Sequence, residues 1–489
     1  MSWHPAGSSV AAPRDMMGVA VMNTIEFLPR APLRVLACLF CIAAASATAQ
    51  TLTDEGFTSG DHTEGHAMAL WGDVLAVGAP NVDKVEFGSI IPEAGAVKIY
   101  TRNAQAGWTH AQTLFSPFPA AQNHFGSAVA LRDGFLVVGE PDSGAAGLRK
   151  GRAVAFLDTG SSSVSFTYQD LQSGEQTEQH AGASVAIERY SSNAPYVVLS
   201  GAPGGQGNTS QSMYGGVYAS AWNVAGGQAT LMGTKFVDPL QVGAPTEVYE
   251  RFGASVAIAP QRCFPASACA NSYFVAVGYP GFHTSQGGAA VLAFHADQDV
   301  GGWGFELQRA AWDETPQNGE SFGTSVDLDA GDGLLVPPRL VVGSPFAVHA
   351  SPIIQTTGAV RVFERSLDGP EWTPGTEVYG PIGQSQPSQF GRAVRIRSDR
   401  VWVGAPFHDV AASNGIGEGA VFQLFRLANN AWTNVDELDM LPPIDSAFLG
   451  ISLAYDARRL VAGAVGHGGF NTWIDCGGSD TLFCSSFEY

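Results

Sequence analysis

The sequence predicts an all-β fold built from seven copies of one unit, and three observations carry that prediction. A phrase of the form Gly-x-Pro recurs as Gly78-Ala79-Pro80, Gly139-Glu140-Pro141, Gly201-Ala202-Pro203, Gly278-Tyr279-Pro280, Gly343-Ser344-Pro345 and Gly404-Ala405-Pro406, with Gly463-Ala464-Val465 as a seventh, altered copy. Each copy follows a glycine that opens a short apolar segment, at Gly65, Gly126, Gly182, Gly253, Gly323, Gly391 and Gly450. Phe precedes four of these glycines, as Phe125, Phe252, Phe322 and Phe390. The composition agrees: 59 of 489 residues are Gly and only 14% are charged, which suits many short strands joined by tight turns.

The second copy serves as a ruler. A first strand over Gly126 to Leu131 is followed by a turn at Arg132-Asp133-Gly134 and a second strand over Phe135 to Gly139. A third strand over Gly151 to Leu157 and a fourth near Ser165 to Leu171 complete the unit. The third strand alternates most clearly, as in Gly95-Ala96-Val97-Lys98-Ile99-Tyr100 and Gly358-Ala359-Val360-Arg361-Val362-Phe363. The fourth opens on an aromatic residue at Trp108, Phe166, Trp303, Trp372 and Trp432. Four antiparallel strands repeated seven times predict a seven-bladed β-propeller of four-stranded antiparallel blades. Inner strands crowd near the axis, so small residues such as Gly182 to Ala186 belong there, and Phe before the glycine fills the wedge between blades. The glycine of Gly-x-Pro is expected to adopt an unusual backbone angle, and the proline to end the pairing. Gln50-Thr51-Leu52 matches Gln112-Thr113-Leu114, and is expected to complete blade seven as its fourth strand.

The predicted boundaries are a leader over 1–49, the propeller over 50–470 and a cysteine-containing tail over 471–489. Arg30 and Arg34 precede an apolar run from Val35 to Ala45, and Ala47-Thr48-Ala49 then supplies small residues, the pattern of a secretory signal peptide cleaved near Ala49. The run is too short to span a bilayer, so the mature chain is expected to be secreted or held at the cell surface, with no membrane span. Without the leader the chain keeps 22 basic and 43 acidic side chains, which argues against nucleic acid as a partner. The four remaining cysteines allow three pairings; local closure, Cys263 with Cys269 and Cys476 with Cys484, is expected because the pairs lie in different repeats.

The paired phrases resemble FG-GAP repeats, the units of the integrin α-subunit propeller and of many secreted bacterial proteins. The resemblance covers about residues 50 to 470 and implies a recognition or adhesion role. It also implies a place for one Ca2+ ion in a turn between first and second strands, where Asp327, Asp329 and Asp332 stand in Asp-Leu-Asp-Ala-Gly-Asp-Gly. The spacing departs from the integrin loop by one residue, and Leu335-Val336 stand where its last Asp belongs. The competing reading of Asp327 is an ion pair with Arg395 of the next blade.

Turns of a four-stranded meander alternate between two faces. The loops after Gly-x-Pro and the loops between blades share one face, which gathers Phe282, His283, Phe346, His349, Phe407, His408, Asp409, His124 and His180. That face is the predicted binding surface for a protein or glycan. The inner strands read GHAMAL, GSAVAL, GASVAI, GASVAI, GTSVDL, GRAVRI and GISLAY, with one carboxylate among them. Propeller enzymes converge acids on those strands, so a non-catalytic module is the first expectation and a carbohydrate-active hydrolase or lyase working from its loops the alternative.

Overall fold

The computed structural model describes residues 64–475 and 483–484, except 104–106, 145–147, 176, 205–213, 245–249, 264–268, 282–285, 297–302, 312–319, 350–354, 383, 385, 411–415, 428, 441 and 457–458. The leader, residues 50–52, Phe282, His283 and Cys476 thus lie outside the described residues. The described chain is nearly all β, arranged as seven antiparallel blades in which sequence order is sheet order from the axis outward. In blade two the strands are Ala128–Arg132, Phe135–Glu140, Arg152–Asp158 and Phe166–Ser173, close to the predicted limits. The inner strands of the other blades are Ala67–Trp71, Ser184–Glu188, Ser255–Pro260, Ser325–Asp329, Ala393–Arg397 and Leu449–Asp456.

Blade sheets have two apolar faces, so the core divides into seams between adjacent blades. Phe135, Val137 and Leu157 of blade two meet Tyr196, Val198 and Trp222 of blade three, for example. The last seam joins Met68, Leu70, Tyr100 and Trp108 of blade one to Ala454 and Val461 of blade seven, which closes the ring. Trp108 also donates its indole N–H to Thr472 Oγ1 at 3.0 Å across that seam. The aromatics that open the outer strands, Trp108, Phe166, Trp303, Trp372 and Trp432, are all buried.

The two repeated glycines meet at every seam. The glycine of Phe-Gly has φ between +89° and +95° in all seven copies. The positive angle therefore falls here, and the glycine of Gly-x-Pro, expected to carry it, does not. That second glycine is required by space instead. A Cβ on Gly78 would lie 2.1 Å from the carbonyl oxygen of Gly126 in the next blade, and one on Gly463 would lie 2.0 Å from Gly65 O. The Phe-Gly carbonyl so cradled is capped in four seams by a serine of the preceding inner strand: Ser184 to Gly253 O, Ser255 to Gly323 O, Ser325 to Gly391 O and Ser452 to Gly65 O. The inner-strand serine is therefore a donor across the seam. Phe125, Phe252, Phe322 and Phe390 are buried beside these contacts, each bridged in parallel to the glycine that opens the third strand of the preceding blade.

In blade seven the third strand is Gly469–Asp475, and the outer strand among the described residues is Phe483–Cys484. The blade thus extends past 470 and takes a strand from the tail. Cys263 and Cys269 form the predicted disulfide, with Cα atoms 5.9 Å apart.

Candidate functional site

The loop face is shaped by backbone hydrogen bonds that lace the two loops of blades three to six together. The residue after the Gly-x-Pro proline donates its N–H to the interblade loop entering the same blade: Gly204 to Gln179 O, Gly281 to Glu250 O, Phe346 to Glu320 O and Phe407 to Ser388 O. One position further along that loop, the chain turns left-handed at His124, His180, Arg251, Ser321, Gln389 and Phe448, with φ between 53° and 61°. Side chains rarely tolerate this region, though His does so more often than most. At His124 and His180 the turn brings the imidazoles to Asp142, and at Phe448 it brings the ring to Phe407.

Between blades two and three, side chains of these loops form an ionic row. Asp142 accepts from His124 Nδ1 at 2.7 Å and from His180 Nδ1 at 2.9 Å. The far nitrogens face acids too, with His180 Nε2 3.3 Å from Glu178 and His124 Nε2 3.7 Å from Glu93. Burial by itself would raise the Asp142 carboxyl, but the two imidazoles override it and hold it well below the ordinary carboxylate range. The hydrogen bond to Asp142 raises His124, with Glu93 reinforcing it and burial and Arg149 opposing.

The signs give a pH window. His124, raised on folding, stabilises the fold fully below its ordinary value of 6.5 and loses that contribution as pH rises through the raised value. Asp142, depressed on folding, contributes above its ordinary 3.8 and loses that as pH falls through the depressed value. The row is therefore strongest from about pH 4 to 6.5. His124→Asn is expected to flatten the alkaline limb of a urea-midpoint profile between pH 6 and 9, and a limb of unchanged slope would contradict the assignment.

The remaining predicted residues take different positions. Phe346 is exposed. Phe407 is half-buried against Phe448, with ring centroids 5.0 Å apart, and His349 packs edge-on to Tyr379. His408 is buried, 3% exposed, and pairs through Nε2 with Glu437 at 2.7 Å, so it braces blade six rather than facing solvent. Asp409 accepts from Gly417 N–H. Nearby, burial and the Glu437 charge push Asp439 up to about 6.

Residues not singled out from sequence complete the face. Asp142 is one, although it shares the post-proline register of Phe346 and Phe407, which was the available signal. A hairpin over Lys84–Glu86 and Ser89–Ile91, between the second and third strands of blade one, is another. It holds Val85, Phe87 and Ile90 exposed, Phe87 fully so at its turn. At the axis, His66 is open to water yet lowered by burial and by Arg392, and Arg392 is itself lowered by burial and by Arg251. Two guanidiniums, Arg251 and Arg392, therefore stand near each other at the mouth of the channel on this face, and the lowered His66 imidazole stays neutral beside them.

On the opposite face, Asp327 accepts from Ile396 N–H at 2.8 Å; burial raises its carboxyl, and the Arg395 charge acts on it in the opposite direction. Asp329 accepts from Ser398 N–H at 2.5 Å, and Asp332 Oδ1 accepts from Leu334, Leu335 and Val336. Among the described residues no three His, Cys, Asp or Glu side chains gather as a metal site. No helix among them is long and apolar enough to cross a membrane.

No protein-family model matches the chain, and no curated protein matches it.

Proposed function

We propose that the chain is a secreted, non-catalytic recognition propeller of FG-GAP type that binds a protein or glycan through its loop face. The observation that carries this reading is the hairpin with Val85, Phe87 and Ile90 exposed. These side chains add nothing to a seam, and a hairpin that holds apolar side chains in water gains stability only when something covers them. Six further large apolar residues exposed on the same face, Phe118, Leu148, Leu240, Phe346, Ile382 and Ile416, support it. The Arg251 and Arg392 guanidiniums at this mouth favour a ligand that carries an acidic group.

The test is a glycan-array and surface-protein capture screen on the chain without its leader, beside a Val85→Ser, Phe87→Ser, Ile90→Ser variant. Capture by the parent and at least about tenfold weaker capture by the variant is expected. Equal capture by both, or hydrolysis of polysaccharide in the same wells, would sink the reading, the latter in favour of a carbohydrate-active enzyme.

Calcium at Asp327, Asp329 and Asp332 is a separate proposal that rests on the integrin resemblance. An ion there has to displace the N–H donors these carboxylates already hold. A Tm raised by CaCl2 and restored by EGTA would support it, and an indifferent Tm would end it.

A further inference from the structure

The face opposite the loops carries its own cavity. It lies where the inner strands of blades two to six end, encloses about 300 Å³, and is lined by Arg132, Glu188, Arg262, Asp329, Asp332 and Arg397, among others. That volume is at the lower end of small-molecule sites.

The formal charges of these six side chains balance, but their hydrogen-bonding capacity does not. Each carboxylate is already engaged: Glu188 by Arg132 Nη1 at 2.9 Å and by Arg189 N–H, Asp329 by Ser398 N–H, and Asp332 by three N–H groups of its own loop. Two of the guanidiniums are held more loosely. Arg132 is held by Glu188 and lies over the Trp71 ring at 4.2 Å. Arg397 approaches Asp329 only to 3.7 Å, with 66% of its side chain exposed. Arg262 is exposed, and its charge acts on Glu188 without a close contact. The cavity therefore offers forked N–H donors and few spare acceptors, which selects for an acceptor-rich anion.

Its wall is also set in advance. The Asp332 loop is stapled by its own bonds, and Gly333 sits so close to blade four that a Cβ there would lie 2.5 Å from Arg262 O and 2.9 Å from Cys263 N. The Cys263–Cys269 disulfide closes the segment directly after Arg262. A donor set on such a wall loses little freedom when a ligand arrives.

We propose that this mouth of the channel binds a small organic carboxylate, up to the size of a sugar acid, between Arg262 and Arg397. The site is independent of the loop-face reading, because it lies at the other end of the axis.

Isothermal titration of the chain without its leader tests it, with D-glucuronate as probe. D-glucose, which has a CH2OH in place of the carboxylate, and inorganic phosphate are the comparisons. Glucuronate is expected to bind, glucose at least about tenfold more weakly, and Arg262→Gln and Arg397→Gln each to weaken glucuronate about tenfold or more. Both arginines are exposed, so either variant is expected to melt as the parent does, and the second stands if one fails to fold. No heat with 10 mM glucuronate, parent-like binding by both variants, or a response to phosphate without one to glucuronate would each overturn the proposal.

Discussion

Gly139→Ala is expected to cost about 3–5 kcal/mol or to prevent folding, the range in which single substitutions report a specific steric failure. The added Cβ would stand 1.9 Å from Gly182 O and 2.9 Å from its carbonyl carbon. Both neighbours are backbone, so no side chain can rotate to make room. Moving them apart would open the seam between blades two and three, where Phe135, Tyr196 and Trp222 are packed without access to water. The loss should appear as a lowered urea midpoint, and Gly134→Ala gives the comparison. Gly134 has the positive φ, 77°, that Gly139 lacks, but a Cβ there would meet only Asp158 Cβ at 3.4 Å, so its cost is the backbone angle alone, about 1 kcal/mol. Equal losses at the two sites would show that the seam is not the cause.

Arg152→Met is expected to rank next, at about 3–5 kcal/mol near neutral pH, because it strands a buried charge. Glu140 is fully buried and accepts from Arg152 Nε at 2.5 Å and Arg152 Nη2 at 2.9 Å, with Asn123 and Ser116 as further donors. Burial raises the Glu140 carboxyl even with Arg152 present. Without the guanidinium it rises further, and protonation then relieves the stranded charge. The deficit should therefore shrink as pH falls from 8 to 5, and Glu140→Gln combined with Arg152→Met should recover most of it. A deficit independent of pH would mean that packing, not charge, was lost.

The blades were legible because their signals are local and repeated. A two-residue turn such as Asp133-Gly134, with φ of 48° and 77°, and period-two apolar strands announce a hairpin wherever they occur. The roles of the two glycines were less so. Both repeat, yet only the meeting of Gly78 with Gly126 shows that one needs an angle and the other needs space. The site was readable as a face and not as a set of contacts. His124 and His180 were placed together by strand order; Asp142 carries the post-proline register, but its pairing with both imidazoles follows from side-chain contacts across the blades. His408, two residues past its Gly-x-Pro proline, turned inward, because Glu437 on the outer strand of blade six offers it a partner. The exposed hairpin at Phe87 went unread because Lys-Val-Glu-Phe-Gly-Ser-Ile-Ile alternates too briefly to stand out among longer strands.

Stability belongs to the repeated residues, and the proposed binding to the loops between them. The urea midpoint of the Val85→Ser, Phe87→Ser, Ile90→Ser variant tests that division most directly. It should match the parent within about 0.5 kcal/mol, since exposed side chains outside the seams add little to folding. A loss above about 2 kcal/mol would mean that the hairpin is part of the core, and the loop face would lose its principal claim to a partner.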